Sequence, residues 1–301
     1  MSEQHDWIYY KLYLGQYTNR ADQVLLGLGR RIEASSLYSH WFYLRYLDES
    51  GLHLRLRLMA RPGQDAAARS AALALIEAEL AAMPGYPPSG HLAMVTPPGM
   101  DQHSMGAALA RGEVRCVADT YQPEYDKYGG AAGMPLAEAV FMASSQVALA
   151  IMADEAAGHY SRKSMIPHLM RACLEALRPG PAEQFWGRYC LFWLGGESPA
   201  ASDWRQRFLA KGLELRAQGV PICPPDVALD ARALQHLQYW RSALARAAAS
   251  YRDMREETGA AFDVLCFNFA HLMNNRLGLT ALEEAYMATL LQQEEQAEVA
   301  A

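Results

Sequence analysis

Cysteine is scarce and scattered in this 301-residue chain. The five cysteines (Cys116, Cys173, Cys190, Cys223 and Cys266) are odd in number and far apart, and no Cys-x-x-Cys pair occurs. That spacing offers neither a zinc site nor a disulfide framework, and it fits a reducing, cytoplasmic setting. Positive charge is also short: 27 Lys and Arg stand against 33 Asp and Glu, a net charge of −6. A nucleic-acid binder normally carries the opposite excess, so direct nucleic-acid binding is not expected. The stretch Met1 to Trp7 is polar and holds no apolar signal region. No apolar run approaches the length of a membrane span, so no membrane partner is expected. Internal repeats, a phosphate loop, a dinucleotide fingerprint and a nucleophile elbow are all missing. His5, His40, His91, His103, His159, His168 and His236 show no metal-ligand spacing. What remains is an ordinary globular composition, 51% hydrophobic and 20% charged.

Within that composition one stretch stands out. From Leu52 to Leu58 the chain alternates without a break. Leu52, Leu54, Leu56 and Leu58 point one way, and His53, Arg55 and Arg57 the other. Strict period-2 alternation predicts a half-buried strand, here with a wholly cationic polar face. Such a row suits an anion, or a charge that develops during a reaction. An ordinary outer strand with solvated arginines is the plain alternative. Trp7 to Leu14 and Trp41 to Tyr46 are aromatic and predicted as strands. Asp48-Glu49-Ser50-Gly51 makes a turn, so Arg45 can add a third guanidinium near Arg55 and Arg57. Asp22 to Ala34 has helical apolar spacing with Asp22 as its cap. Asp65 to Met83 reads as a helix. His91 to Val95 is a short strand, 99–113 is ambiguous, and Val114 to Tyr121 is a strand.

After Gly133 the pattern becomes helical: Leu136–His159, Ser164–Leu177, Glu183–Leu194, Asp203–Gln218, Ala228–Glu257, Ala261–Leu277 and Thr280–Gln296. Strands are grouped rather than alternated with helices, which predicts an α+β fold. An antiparallel-rich sheet with helices comes first and a helical lobe follows. With no low-complexity linker at the change, 1–301 reads as a single domain of two lobes, 1–130 and 131–301.

Two further stretches carry chemistry. His271 lies in Phe267 to Leu277, with Asn275 four residues on and Arg276 beside that face, at a helix end before Gly278. His, Asn and Arg there suit proton transfer; a core histidine hydrogen-bonded to Asn275 is the alternative. Glu124, Asp126 and Lys127 sit among Tyr121, Tyr125 and Tyr128, before Gly129-Gly130. An exposed charged loop explains them equally.

Together these stretches resemble one family. Trp7 to Tyr13 and Trp41 to Tyr46 look like its opening strands, and His53 to Arg57 looks like its signature strand. Tyr121 to Gly130 looks like its second motif and His271 to Leu277 its third. The family is the C-terminal, glutamate-eliminating domain of lantibiotic dehydratases, also found as free-standing thiopeptide-type biosynthesis proteins. The resemblance implies a lyase that removes glutamate from glutamylated Ser or Thr of a precursor peptide, leader plus core, leaving dehydroalanine or dehydrobutyrine. A separate glutamyl-tRNA-dependent glutamylating dehydratase supplies the ester. Catalytic roles carry over to Arg55, Arg57, Glu124, Lys127 and His271; His53, Arg45, Tyr128, Asn275 and Arg276 surround them as substrate-binding candidates. The family usually has Arg before Tyr-Gly-Gly, and Lys127 stands here instead, which keeps the charge but not the fork geometry. No metal or redox cofactor is required, and a homodimer is a further assembly left open. Two other readings stand beside elimination. One is a thiopeptide pyridine synthase, joining two dehydroalanines with loss of the leader. The other is a non-catalytic partner that holds the precursor peptide by strand addition.

Overall fold

The computed structural model describes residues 7–48, 50–86 and 113–300. The short strand expected at His91–Val95, most of the ambiguous stretch after it and Glu49 of the turn lie outside the described residues. The chain forms two compact units, one holding the described residues up to Pro123 and the other those from Glu124 onward.

The first unit is built on β1 (Trp7–Leu14), β2 (Tyr38–Asp48), β3 (Gly51–Ala60) and β4 (Val114–Asp119), in the order β2-β3-β1-β4. Every pairing is antiparallel. The Ser50 amide donates to the Asp48 side chain at 2.8 Å and tightens the β2–β3 turn. Helices α1 (Ala21–Glu33) and α2 (Asp65–Ala81) pack on one another, and α2 meets β1 and β4. In α1 the buried residues Val24, Leu25, Leu28 and Ile32 keep the expected helical spacing. Asp22 does not cap that helix: Arg20 occupies the cap position, and the Asp22 carboxylate instead holds Arg45 of β2 at 2.5 Å.

The second unit is helical: α3 (Gly130–Ala156), α4 (Arg162–Leu177), α5 (Ala182–Trp193), α6 (Pro199–Ala217), α7 (Ala231–Asp253), α8 (Arg255–Thr258), α9 (Phe262–Leu277) and α10 (Ala281–Ala300). Helix α3 packs against α7 and α9, and α10 packs against α5 and α6. Two expectations are corrected here. Helix α3 starts at Gly130, not Leu136, because Gly129 turns left-handed at φ 78 and releases the chain directly into the helix. The long pattern ending at Glu257 is interrupted after Asp253, and Gly259, at φ 54, closes the short α8. A third correction concerns hydrophobicity: α3 is long and apolar enough to cross a membrane by composition alone, with a mean hydropathy of 1.6 over its most apolar window. Of that window 61% is buried within the protein, as a core helix requires.

Candidate active site

In the first unit β3 lies inside the sheet, and its two faces separate as the alternation predicts. Leu54, Leu56 and Leu58 are buried. Arg45 shares their face, since it pairs with Leu54, and its ion pair to Asp22 of α1 shows that the helices cover that side. It therefore does not join the row of Arg55 and Arg57, and the expectation of a third guanidinium there is corrected.

The opposite face is not the open cationic row expected from the alternation. His53 is fully buried and Arg57 is 6% exposed. Across the sheet Arg57 pairs with Tyr9 and Phe42. Its guanidinium lies over the rings of Tyr9 at 4.6 Å, Tyr121 at 4.8 Å and Phe42 at 5.3 Å. Three aromatic faces hold a desolvated cation by quadrupole attraction. Arg55 is half-buried. Its guanidinium stacks on Tyr46 at 3.3 Å, and its Nε–H donates to His53 Nε2, also at 3.3 Å. His53 Nδ1 lies 3.0 Å from the Gly51 carbonyl. One nitrogen thus donates and the other accepts, so the ring is neutral. Burial holds its pKa below the ordinary value of 6.5. His53 orients Arg55 and is not itself accessible. Lys11 closes the face with an ion pair to Asp119 at 2.7 Å.

The second unit carries the other candidates. Glu124 precedes a tight turn, Tyr125–Lys127, and Lys127 Nζ binds the Glu124 carboxylate at 2.5 Å. Both side chains are exposed. The expectation of Tyr128 as a substrate contact is corrected: it is 2% exposed, stacks on Phe269 at 5.9 Å and meets the edge of Phe141 at 5.0 Å. The Tyr251 hydroxyl is shared between the carbonyls of Gly133 at 2.8 Å and Tyr128 at 3.1 Å. A Cβ on Gly133 would stand 1.8 Å from the Tyr128 oxygen, which is the physical reason for glycine there. Lys127, Gly129, Thr258 and Val264 border a cleft of about 290 Å³.

His271, on α9, is partly exposed, at 26%. Its Nδ1 lies 3.0 Å from Glu284 Oε1 of α10. The Glu284 carboxylate is buried, at 1%. Its other oxygen receives Asn274 Nδ2 at 3.2 Å and the Tyr189 hydroxyl of α5. Burial, then the Glu284 charge, push the Tyr189 pKa well above 10.0, so that hydroxyl keeps its proton and donates. Only an acceptor-only carboxylate receives three such donors. The nitrogen of His271 that faces Glu284 is therefore N–H, which leaves Nε2 as the ring nitrogen turned away from the carboxylate. Trp193 lies against the imidazole with centroids 4.3 Å apart. Asn275 lies one turn along α9 from His271 and is half-buried. Arg276 is fully buried: Nε donates to Ser145 of α3 at 2.9 Å and Nη1 to the Leu272 carbonyl at 3.0 Å. It ties α9 to α3, which corrects its expected role as a substrate contact.

His53, Arg55 and Arg57 thus belong to the first unit, and Glu124, Lys127 and His271 to the second. Among the described residues, no hydrogen bond or ion pair joins His271 to Glu124 or Lys127. Sequence reasoning missed Glu284, Tyr189, Asn274 and Trp193. One signal for Glu284 existed: it shares a helical stripe with Ala288 and Leu291, both fully buried. A carboxylate at a core position of an amphipathic helix needs donors around it.

Comparison with known proteins places the chain further. The family model described as "Lantibiotic biosynthesis dehydratase C-term" matches residues 7–294. No curated protein sequence matches the chain. Among solved structures, the tRNA-dependent lantibiotic dehydratase MibB from Microbispora sp. 107891 is similar at 20% identity and a TM-score of 0.63. That match covers 100% of this chain but 29% of the dehydratase. The pyridine synthase TbtD from thiomuracin biosynthesis is similar at 17% identity and a TM-score of 0.69, covering 98% of both chains. TsrL is similar at 16% identity and a TM-score of 0.58, covering 97% of this chain and 95% of that one. At these identities the likeness is one of fold.

Proposed function

The chain belongs to the lantibiotic biosynthesis dehydratase C-terminal family, and from that premise we propose that it is a glutamate-eliminating lyase of ribosomal peptide maturation. Its substrate is a precursor peptide, leader plus core, whose Ser or Thr side chain carries a glutamyl ester made by a separate glutamyl-tRNA-dependent protein. A base takes the Cα proton, the Cα–Cβ double bond forms, the Cβ–O bond breaks, and glutamate leaves as its carboxylate. The step is redox-neutral and calls on no redox cofactor.

The observation that carries this reading is His271 backed by buried Glu284. A partly exposed imidazole, oriented by a carboxylate on Nδ1 and with Nε2 turned away from it, is suited to general acid–base work. Arg55, stacked on Tyr46 and steered by His53, offers donors for developing negative charge. Arg57 supports it from within its aromatic cage. Lys127 adds a point charge that the neighbouring Glu124 holds in place.

A pyridine synthase is the second reading, favoured by the 98% mutual coverage with TbtD. The experiment offers the purified chain two peptides, one glutamylated and one already bearing dehydroalanines, and follows both by mass spectrometry. Release of glutamate from the first, lost in His271→Ala, supports elimination. Reaction of the second alone, with loss of the leader, sinks it. Binding of the glutamylated peptide without turnover points to a precursor-holding partner instead.

A further inference from the structure

Three arginines of the second unit line one cleft that the elimination chemistry does not use. They are Arg178 at the end of α4, Arg252 of α7 and Arg255 of α8. The cleft measures about 710 Å³, within the range of small-ligand sites. Leu177, Ala245 and Phe262 supply its apolar wall. Its one acidic lining residue, Glu175, faces Arg241 at 3.6 Å. Some other arginines of this unit are neutralised by carboxylates: Arg162 meets Glu155 and Arg171 meets Glu294. Among the described residues Arg178, Arg252 and Arg255 form no ion pair. Arg252 has a structural share: it donates to the Ala176 carbonyl at 2.7 Å and lies over the Phe262 ring at 5.4 Å.

Arg178 is unusual in its backbone. It closes α4 at φ 49, ψ 62, and among the described residues no other non-glycine has positive φ. The same left-handed closing position after α8 and α9 is Gly259 and Gly278. Glycine takes that conformation without strain, whereas a Cβ does not, and the following Pro179 narrows the backbone further. Arginine stands at a position where glycine is easier. Strained residues of this kind cluster at ligand clamps and other functional sites.

We propose that this cleft binds an acidic segment of a peptide. Its carboxylates meet Arg178 and Arg255 in fork geometry, and a neighbouring apolar side chain rests against Phe262. Nucleic acid fits less well, because the chain carries a net charge of −6 and the wall combines an acidic residue with apolar side chains.

The test is fluorescence anisotropy of the full chain with a short labelled peptide of alternating Glu and Leu. The same peptide with Gln for Glu, and single-stranded DNA of matching charge, are the controls. Binding of the Glu peptide, weakened by salt and absent for the Gln peptide, is the expected result. Arg255→Gln and Arg178→Gly each weaken it roughly tenfold. Arg178→Gly at the same time raises the melting temperature by a few degrees, because the strained Cβ is gone. That opposite movement separates a binding role from a structural one. No binding of the Glu peptide, equal binding of the Gln peptide, tighter binding of the DNA, or unchanged affinity in both variants overturns the proposal. Neither variant touches His271 or Glu284, so the outcome is independent of whether the chain eliminates glutamate.

Discussion

A buried carboxylate survives in a core only when donors surround it, and Glu284 meets that condition with three: His271, Asn274 and Tyr189. Glu284→Gln tests the arrangement with little change of shape. The amide replaces one oxygen by an NH₂ group, so at least one of the three donors then faces a donor. Leaving a buried polar group unsatisfied costs about 1–3 kcal/mol; urea unfolding reads this as a lower midpoint. His271 loses the acceptor that fixes its tautomer, and ¹⁵N chemical shifts of the imidazole show Nδ1–H giving way to a mixture. Turnover of a glutamylated peptide is expected to fall about tenfold, less than the roughly 10²–10⁴-fold a general acid–base group itself contributes, because the imidazole remains. An unchanged tautomer together with unchanged turnover would remove Glu284 from the mechanism. The same scale separates the two arginines of β3. Arg57 is caged by Tyr9, Phe42 and Tyr121, whereas Arg55 is half-buried and leans on His53. Alternation puts both on one face; only their neighbours on β1 and β2 tell them apart.

Among the elements, the entry into α3 is the most constrained. Gly133 sits in the first turn of that helix, where a Cβ would meet the Tyr128 carbonyl at 1.8 Å and the Tyr251 ring at 3.1 Å. The first obstacle is backbone and cannot swing aside. Gly133→Ala is expected to cost on the order of 3 kcal/mol, the upper range for overpacking. Gly130→Ala meets nothing within 4 Å, and its φ of 69 leaves only a left-handed penalty of about 1 kcal/mol. Denaturant midpoints of the two variants check the order, and a smaller loss for Gly133→Ala would contradict it. Elements of this kind also show what was legible beforehand. The strands β1, β2 and β3 and the helices α4, α5 and α9 stand within a few residues of where periodicity put them, because an alternating or 3.6-residue pattern is local. What covers each face is not local. The rings over Arg57 come from β1, β2 and Tyr121, and the partner of His271 comes from α10. His271 was legible as a candidate; the acid behind it needed the packing of α5, α9 and α10. Tyr128 and Arg276 show the converse, since residues in chemically suggestive motifs turn out to be core anchors.

For the molecule as a whole, the extent of the similarities frames the remaining prediction. The family model spans residues 7–294, yet the chain matches only 29% of the tRNA-dependent dehydratase. Under the proposed function the glutamyl transfer belongs to another protein, and the electrostatics agree. A net charge of −6 opposes the phosphate contacts that dominate tRNA affinity. The purified chain, given unmodified precursor peptide and glutamyl-tRNA, is therefore expected to leave the peptide mass unchanged. It is also expected to show no tRNA retention in filter binding at physiological salt. The same preparation given a glutamylated peptide is expected to release glutamate without any added factor. Adding the glutamylating protein to the first mixture converts it to dehydrated peptide, and that conversion stops when this chain carries His271→Ala. Dehydration of the unmodified peptide by this chain alone would show that it performs both half-reactions and would overturn the division of labour. Conversion by the glutamylating protein alone, with this chain left out, would assign the elimination elsewhere.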